Sequence, residues 1–232
     1  LSSADVFVPC GGRPESINLS NVDKMFDEKG LPRFKFIIEG ANLFLTNDAR
    51  MILEKAGVVL YKDASANKGG VTSSSFEVLA ALAMSDEEHQ KHMCVQGKEF
   101  PQFYTEYVKE IQDIIQKNAE MEFECIWREH EISGKPRFIL TEEVSAKINS
   151  LNTTIKASSL WDRVDLRKKV MSEALPKTLT KLIGVDMAMQ RIPEAYMRAI
   201  FGSYLASHFV YKYGISSSEF AFFEFMQGYL AK

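Results

Sequence analysis

Short apolar runs alternate with polar, helix-like stretches along the first third of the chain. Val6 to Val8, Phe34 to Ile38 and Val58 to Tyr61 each read as a strand, with helical patterns near Val22 to Glu28 and Asp48 to Lys55 between them. Parallel strands need long crossovers, so short buried strands alternating with helices imply a parallel sheet with helices on its faces. A fourth segment, Gly69 through Met84, reads as a helix opening at a glycine pair. After it the pattern changes. Ser85 followed by Asp86, Glu87 and Glu88 is a cap with acids near the positive end of a helix dipole. Phe100, Tyr104, Tyr107, Ile111, Ile114 and Ile115 recur at close to helical spacing, and Pro101 marks a kink or a helix start. Helical patterns continue through Glu142 to Ile148 and Leu160 to Ile183. Pro193 stands where a first-turn proline would and Gly214 where a terminal glycine would, with Tyr196, Ile200, Tyr204 and Phe209 as an apolar stripe between them. Ser216 to Ser218 offer caps for a last segment whose Phe220, Phe222, Phe223, Phe225 and Tyr229 are too aromatic for a freely solvated helix. The pattern predicts an α/β fold, with a parallel-sheet region over residues 1–84 and a mostly α-helical C-terminal region over 85–232.

Composition narrows the function classes. The apolar fraction of 46% in 232 residues supports a real core. A net charge of −3 with mixed signs gives no electrostatic footprint for nucleic acid or an anionic membrane. No apolar run approaches the ~20 residues that span a bilayer. Cys10, Cys94 and Cys125 are odd in number and far apart, which argues against a disulfide framework and for a reducing compartment. Cytoplasm is the expected location, ahead of the mitochondrion. Leu1 to Ala4 resemble neither a signal peptide nor a natural N-terminus, so the chain reads as a fragment of a longer protein.

Three clusters stand just beyond the carboxyl ends of the three strands, where open α/β sheets bind ligands. They are Pro9 to Glu15, Glu39-Gly40-Ala41-Asn42, and Asp63 to Val71. In the third, two glycines at a helix start admit a close approach, and the first turn offers unpaired N–H groups suited to a carboxylate. Val71 and Ser74 share a helix face, where one packs on methylenes and the other offers a hydroxyl. Ordinary loop chemistry explains the glycines almost as well.

A strand ending Pro-Cys before a small pair, then Glu-Gly-Ala-Asn, then Ala-Asn-x-Gly-Gly-Val opening a serine-containing helix, resembles the glutamate dehydrogenase family. The motifs cover roughly Asp5 to Leu82. The tail around Ile192 to Phe201 is similar to the large, NAD-specific class of fungi and related microbes. The resemblance implies the second half of a Rossmann-like dinucleotide-binding domain, with NAD as cofactor. Gly11 and Gly12 would line the cofactor groove, Asn42 would contact the nicotinamide ribose region, and Asn67 would lie between cofactor and substrate. Val71 and Ser74 would surround the substrate side chain and its distal carboxylate. Arg13-Pro14 departs from the smaller enzymes, and Lys68 replaces a small residue with no derivable consequence. The implied reaction converts L-glutamate and NAD to 2-oxoglutarate, ammonia and reduced NAD, in a homo-oligomer of the full protein. No G-x-G-x-x-G occurs, and no residue matches the family's catalytic lysine and aspartate, so those parts are expected in an N-terminal remainder. The fragment alone is expected to be inactive.

Other readings of the same residues are plainer. His89 and His92 are helix neighbours with no distant ligand cluster, and read as solvated rather than metal-binding. His130 reads as part of a surface charge cluster, His208 as a core histidine, and Cys10 as wall-lining without a partner base. Two rival functions remain. A leucine or phenylalanine dehydrogenase would share the Gly-Gly-Val helix, though the Ser74 hydroxyl suits a carboxylate better. A non-catalytic regulatory or assembly module would make the helical tail dominant.

Overall fold

In a computed structural model, residues 4–95 and 97–230 are described; Leu1–Ser3, taken above as part of a cut N-terminus, lie outside them. Three strands, β1 (Val6–Phe7), β2 (Phe36–Ile38) and β3 (Val59–Tyr61), form a parallel sheet in the order β1-β2-β3. Val6 pairs with Phe36, and Ile37 with Leu60. The segment expected as a helix from Val22 to Glu28 is a single 3-10 turn, Val22–Met25. Its apolar residues are only enough to bury Val22 and Met25 against the sheet core. The second crossover is the expected helix, α1 (Asn47–Lys55), whose Thr46 side chain accepts from the Ala49 N–H as an N-cap. Beyond β3 come a short α2 (Asp63–Ala66) and α3 (Gly69–Ala83).

The remaining elements are all helical: α4 (Asp86–His92), α5 (Gln102–Ser133), α6 (Arg137–Ala157), α7 (Val164–Ala174), α8 (Lys177–Ile183), α9 (Val185–Arg191), α10 (Glu194–Tyr213) and α11 (Glu219–Leu230). Ser85 and Glu88 form a reciprocal capping box on α4. The Pro101 signal resolves as a start, since α5 begins at the next residue. The continuous helical pattern from Leu160 to Ile183 is in fact broken into a 3-10 turn, α7 and α8. Pro176 blocks continuation between α7 and α8, and Gly184 at φ 80° ends α8.

The chain divides into two compact units, and the boundary is not where the composition changes. A sheet unit comprises 1–68 and 119–145, and a helical unit comprises 69–118 and 146–232. Helix α3 thus belongs with the helices, whereas the expected boundary lay at its end. The middle of the chain returns to the sheet unit because Phe138 joins the core of Ile37, Leu45, Leu53 and Leu60. Burying such side chains contributes roughly 1.5–3 kcal/mol each. The helical unit has its own core, including Leu79, Tyr107, Trp161, Phe201 and Leu205. Its α3 is held by two tyrosines: Tyr107 donates to the Phe76 carbonyl at 2.8 Å and Tyr196 to the Ser75 carbonyl at 3.2 Å.

Two helix starts are capped from a distance. Pro136 and Pro176 precede α6 and α8 and provide no side-chain acceptor. Glu54 of α1 accepts from the Arg137 and Phe138 N–H groups at 2.9 and 3.4 Å. Glu110 of α5 does the same for Lys177 and Thr178 at 2.5 and 2.7 Å. Burial pushes the Glu54 carboxyl above its ordinary range, against the lowering effect of those backbone donors.

Candidate functional site

The first two of the three loops beyond the strand ends are joined by backbone hydrogen bonds. Ala41 N–H donates to the Pro9 carbonyl at 2.7 Å, and Glu15 N–H to the Leu43 carbonyl at 2.7 Å. Close approach explains the glycine at 40, where a Cβ would lie 3.1 Å from the Pro9 oxygen and 3.2 Å from the Cys10 sulfur. Gly12 sits at φ +123°, and a Cβ there would meet the Phe44 ring at 2.8 Å. At Gly11 a Cβ would enter open space, so what its absence leaves is exposed backbone.

Asn42 and Asn67 meet. The Asn67 amide donates to the Asn42 Oδ1 at 2.5 Å and to the Gly40 carbonyl at 3.3 Å. Both donors of Asn67 are thereby spent on the neighbouring loop. Its Oδ1 and the exposed Asn42 amide nitrogen keep an acceptor and a donor for a ligand at the strand ends. Exposed glycine backbone beside a carboxamide pair is a donor set that fits the amide and hydroxyl groups of a nicotinamide nucleoside.

Buried charges hold this arrangement from behind. Arg50 makes a bidentate pair with Glu39, at 2.7 and 2.8 Å, and both side chains are almost wholly buried. Asp63 lies 3.6 Å from the same guanidinium, and its other oxygen accepts from the Leu43 N–H at 2.8 Å. Leu43 has φ 53°, a left-handed conformation costly to a branched residue, and the Asp63 bond helps to hold it there. Sequence reasoning placed Glu39 and Asp63 inside the strand-end clusters without giving either a role, and it passed over Arg50. Nothing in spacing pairs Glu39 with Arg50.

Val71 and Ser74 belong to the helical unit, at the start of α3. Val71 is 75% exposed and lines a cavity of about 520 Å³ with Thr72, Ser75, Lys117, Tyr204 and His208. Ser74 does not line that cavity, and its hydroxyl donates back to the Gly70 carbonyl at 2.9 Å. His208, expected as a core histidine, is half-buried, stacks on Tyr204 at 3.9 Å, and has its Nδ1 2.9 Å from the Tyr204 carbonyl. Burial lowers its pKa below the ordinary 6.5. His130 is half-buried, with Nδ1 2.7 Å from the Lys135 carbonyl. Among the described residues no group of three or more His, Cys, Asp or Glu could hold a metal ion. Cys10 is exposed; Cys125 is buried, and burial pushes its thiol up to about 11, far from a reactive thiolate.

A parallel sheet with Gly-Gly, Asn and Asn-x-Gly-Gly loops at its strand ends is an open α/β arrangement whose candidate ligand loops lie at the carboxyl ends of the strands. The chain belongs to the Glutamate/Leucine/Phenylalanine/Valine dehydrogenase family, whose model matches residues 1–134. It is 59% identical over 227 residues to glutamate dehydrogenase 2 of Dictyostelium discoideum, covering 98% of this chain and 22% of that protein. It is 54% identical to the NAD-specific glutamate dehydrogenase of Neurospora crassa, covering 96% of this chain and 21% of that one. To the NAD-specific glutamate dehydrogenase of Saccharomyces cerevisiae it is 44% identical, covering 98% and 21%. The chain therefore spans about a fifth of the length of these curated relatives, and the likeness runs through the helical tail beyond the family match. No solved structure matches it.

Proposed function

We propose that this chain is part of an NAD-dependent glutamate dehydrogenase, supplying the nicotinamide-side wall of the cleft and part of the substrate pocket. The observation that carries the reading is the Asn67–Asn42 hydrogen bond across two adjacent strand ends, in a chain so similar to NAD-specific relatives. NAD, when bound, would supply the hydride acceptor for oxidation of L-glutamate at its α-carbon, the imine product then being hydrolysed by water to 2-oxoglutarate and ammonia. The chain's own residues position and enclose. Gly11 and Gly12 let the ligand reach backbone, Asn42 and Asn67 offer a donor and an acceptor to its amide and ribose, and Val71 presents an apolar surface to substrate methylenes. Ser74 would have to turn its hydroxyl away from Gly70 to reach a carboxylate. Proton transfer and the phosphate-binding turn are assigned to an N-terminal remainder, in a cytoplasmic homo-oligomer.

Joining the chain to that upstream region should give glutamate-dependent reduction of NAD well above that of NADP. Preference for leucine or phenylalanine, or for NADP, would refute the assignment. The 232-residue chain alone should show neither micromolar NAD affinity nor glutamate oxidation.

A further inference from the structure

Lys68 precedes the glycine pair, and its ammonium pairs with Glu122 of α5. Glu122 is buried at 3% exposure, so an acid there needs partners. It takes two from one loop: the Lys68 ammonium, and the Ser65 hydroxyl at 2.7 Å. Ser65 also lies 3.0 Å from the Thr141 hydroxyl of α6, and Lys62 pairs with Glu142 of that helix. Asn67 stands between Ser65 and Lys68 in the loop these contacts grip. Its amide reaches Gly40 and Asn42 only if the loop keeps its height above the sheet.

We infer that Glu122 is a positioning residue for the cofactor-side asparagines, acting through Lys68 and Ser65 to fix Asn67 against Asn42. The helical segment that returns to the sheet unit thereby acquires a role in the cleft without touching a ligand. This rests on the proposed function only for the kinetic consequence; the grip on Asn67 stands on geometry alone. Lys68 is half-exposed, so its substitution spares the core and keeps the test open if a Glu122 variant folds poorly.

The test compares Lys68→Gln, Glu122→Gln, the double variant and Lys68→Arg. In the 232-residue chain, side-chain amide resonances of Asn42 and Asn67 should shift in Lys68→Gln and Glu122→Gln, and remain near the parent's in Lys68→Arg. In the full-length enzyme the same two variants should lower kcat/KM for NAD, by at most on the order of 100-fold for a misplaced contact. The double variant should be no worse than either single, because the two residues act as one pair. A merely structural pair would lower the melting temperature and leave the asparagine resonances and kcat/KM unmoved, which would overturn the inference. Shifted resonances with unchanged kinetics would uphold the positioning role and instead refute Asn67 as a cofactor-side residue.

Discussion

The interior of the sheet unit holds Glu39, Arg50, Asp63, Glu122, Arg137 and Thr141, whereas among the described residues no polar or charged side chain is buried in the helical unit. The helical interior is filled by apolar groups and aromatic pairs such as Trp161 on Phe201, with ring centroids 5.4 Å apart. Buried ion pairs are poor stabilisers relative to apolar packing, since desolvation offsets most of the attraction. Their concentration in one unit therefore tells of position, not strength. Four of the six, Glu39, Arg50, Asp63 and Glu122, stand directly behind the loops that carry Asn42 and Asn67. The interior of the helical unit relies on apolar packing instead.

Breaking the buried network should have the largest effect. Arg50→Ala leaves Glu39, at 0% exposure, without its counter-charge, and should cost about 3–5 kcal/mol in chemical denaturation. The loss should fall on the sheet unit first, so that helical signal from the other unit persists to higher denaturant; a single unchanged transition would contradict the contrast drawn here. A cap in the helical unit should matter less. Glu110→Ala frees the Lys177 and Thr178 N–H groups and should cost about 1 kcal/mol, read by the same denaturation.

The smallest effect concerns His208. Lys117 and Glu173 face it, the first opposing and the second favouring its protonation, while burial dominates and depresses its pKa below 6.5. The unfolded chain then takes up a proton more readily than the folded one. Stability from the neutral ring is present above pH 6.5 and is lost as pH falls through the depressed folded value. His208→Gln should flatten the melting temperature between pH 6.5 and the acid side; an unaltered slope would show that His208 does not contribute there.

Much of the site was legible because its signals are local. Each strand is a short apolar run, and each ligand loop follows directly from one, so Asn42 and Asn67 could be assigned to adjacent strand ends before their 2.5 Å contact was seen. Helix starts at Ser85 and Gln102 were likewise written in cap and proline positions. What escaped depends on distant partners. Lys68 had no readable role because Glu122 lies 54 residues on, and nothing near Pro136 hints that Glu54 caps α6. The break at Pro176 was hidden by an apolar spacing that short successive helices preserve, whereas the end at Ile183 was as expected. Ser74 matched its motif, but a helix lets a serine hydroxyl turn back to its own backbone, as it does at Gly70.

Because residues 119–145 rejoin the sheet unit after the chain has entered the helical one, neither unit is a contiguous stretch. No single cut can excise a self-contained half. A truncation at 134, where the family match ends, would sever α6 from α5 and strip Phe138, Thr141 and Glu142 from the sheet unit. A ribosome must likewise deliver residue 145 before that unit can close, when only 69–118 of the other has been made. Completion of the sheet unit is thus tied to synthesis of residues 135–145, which lie outside the family match.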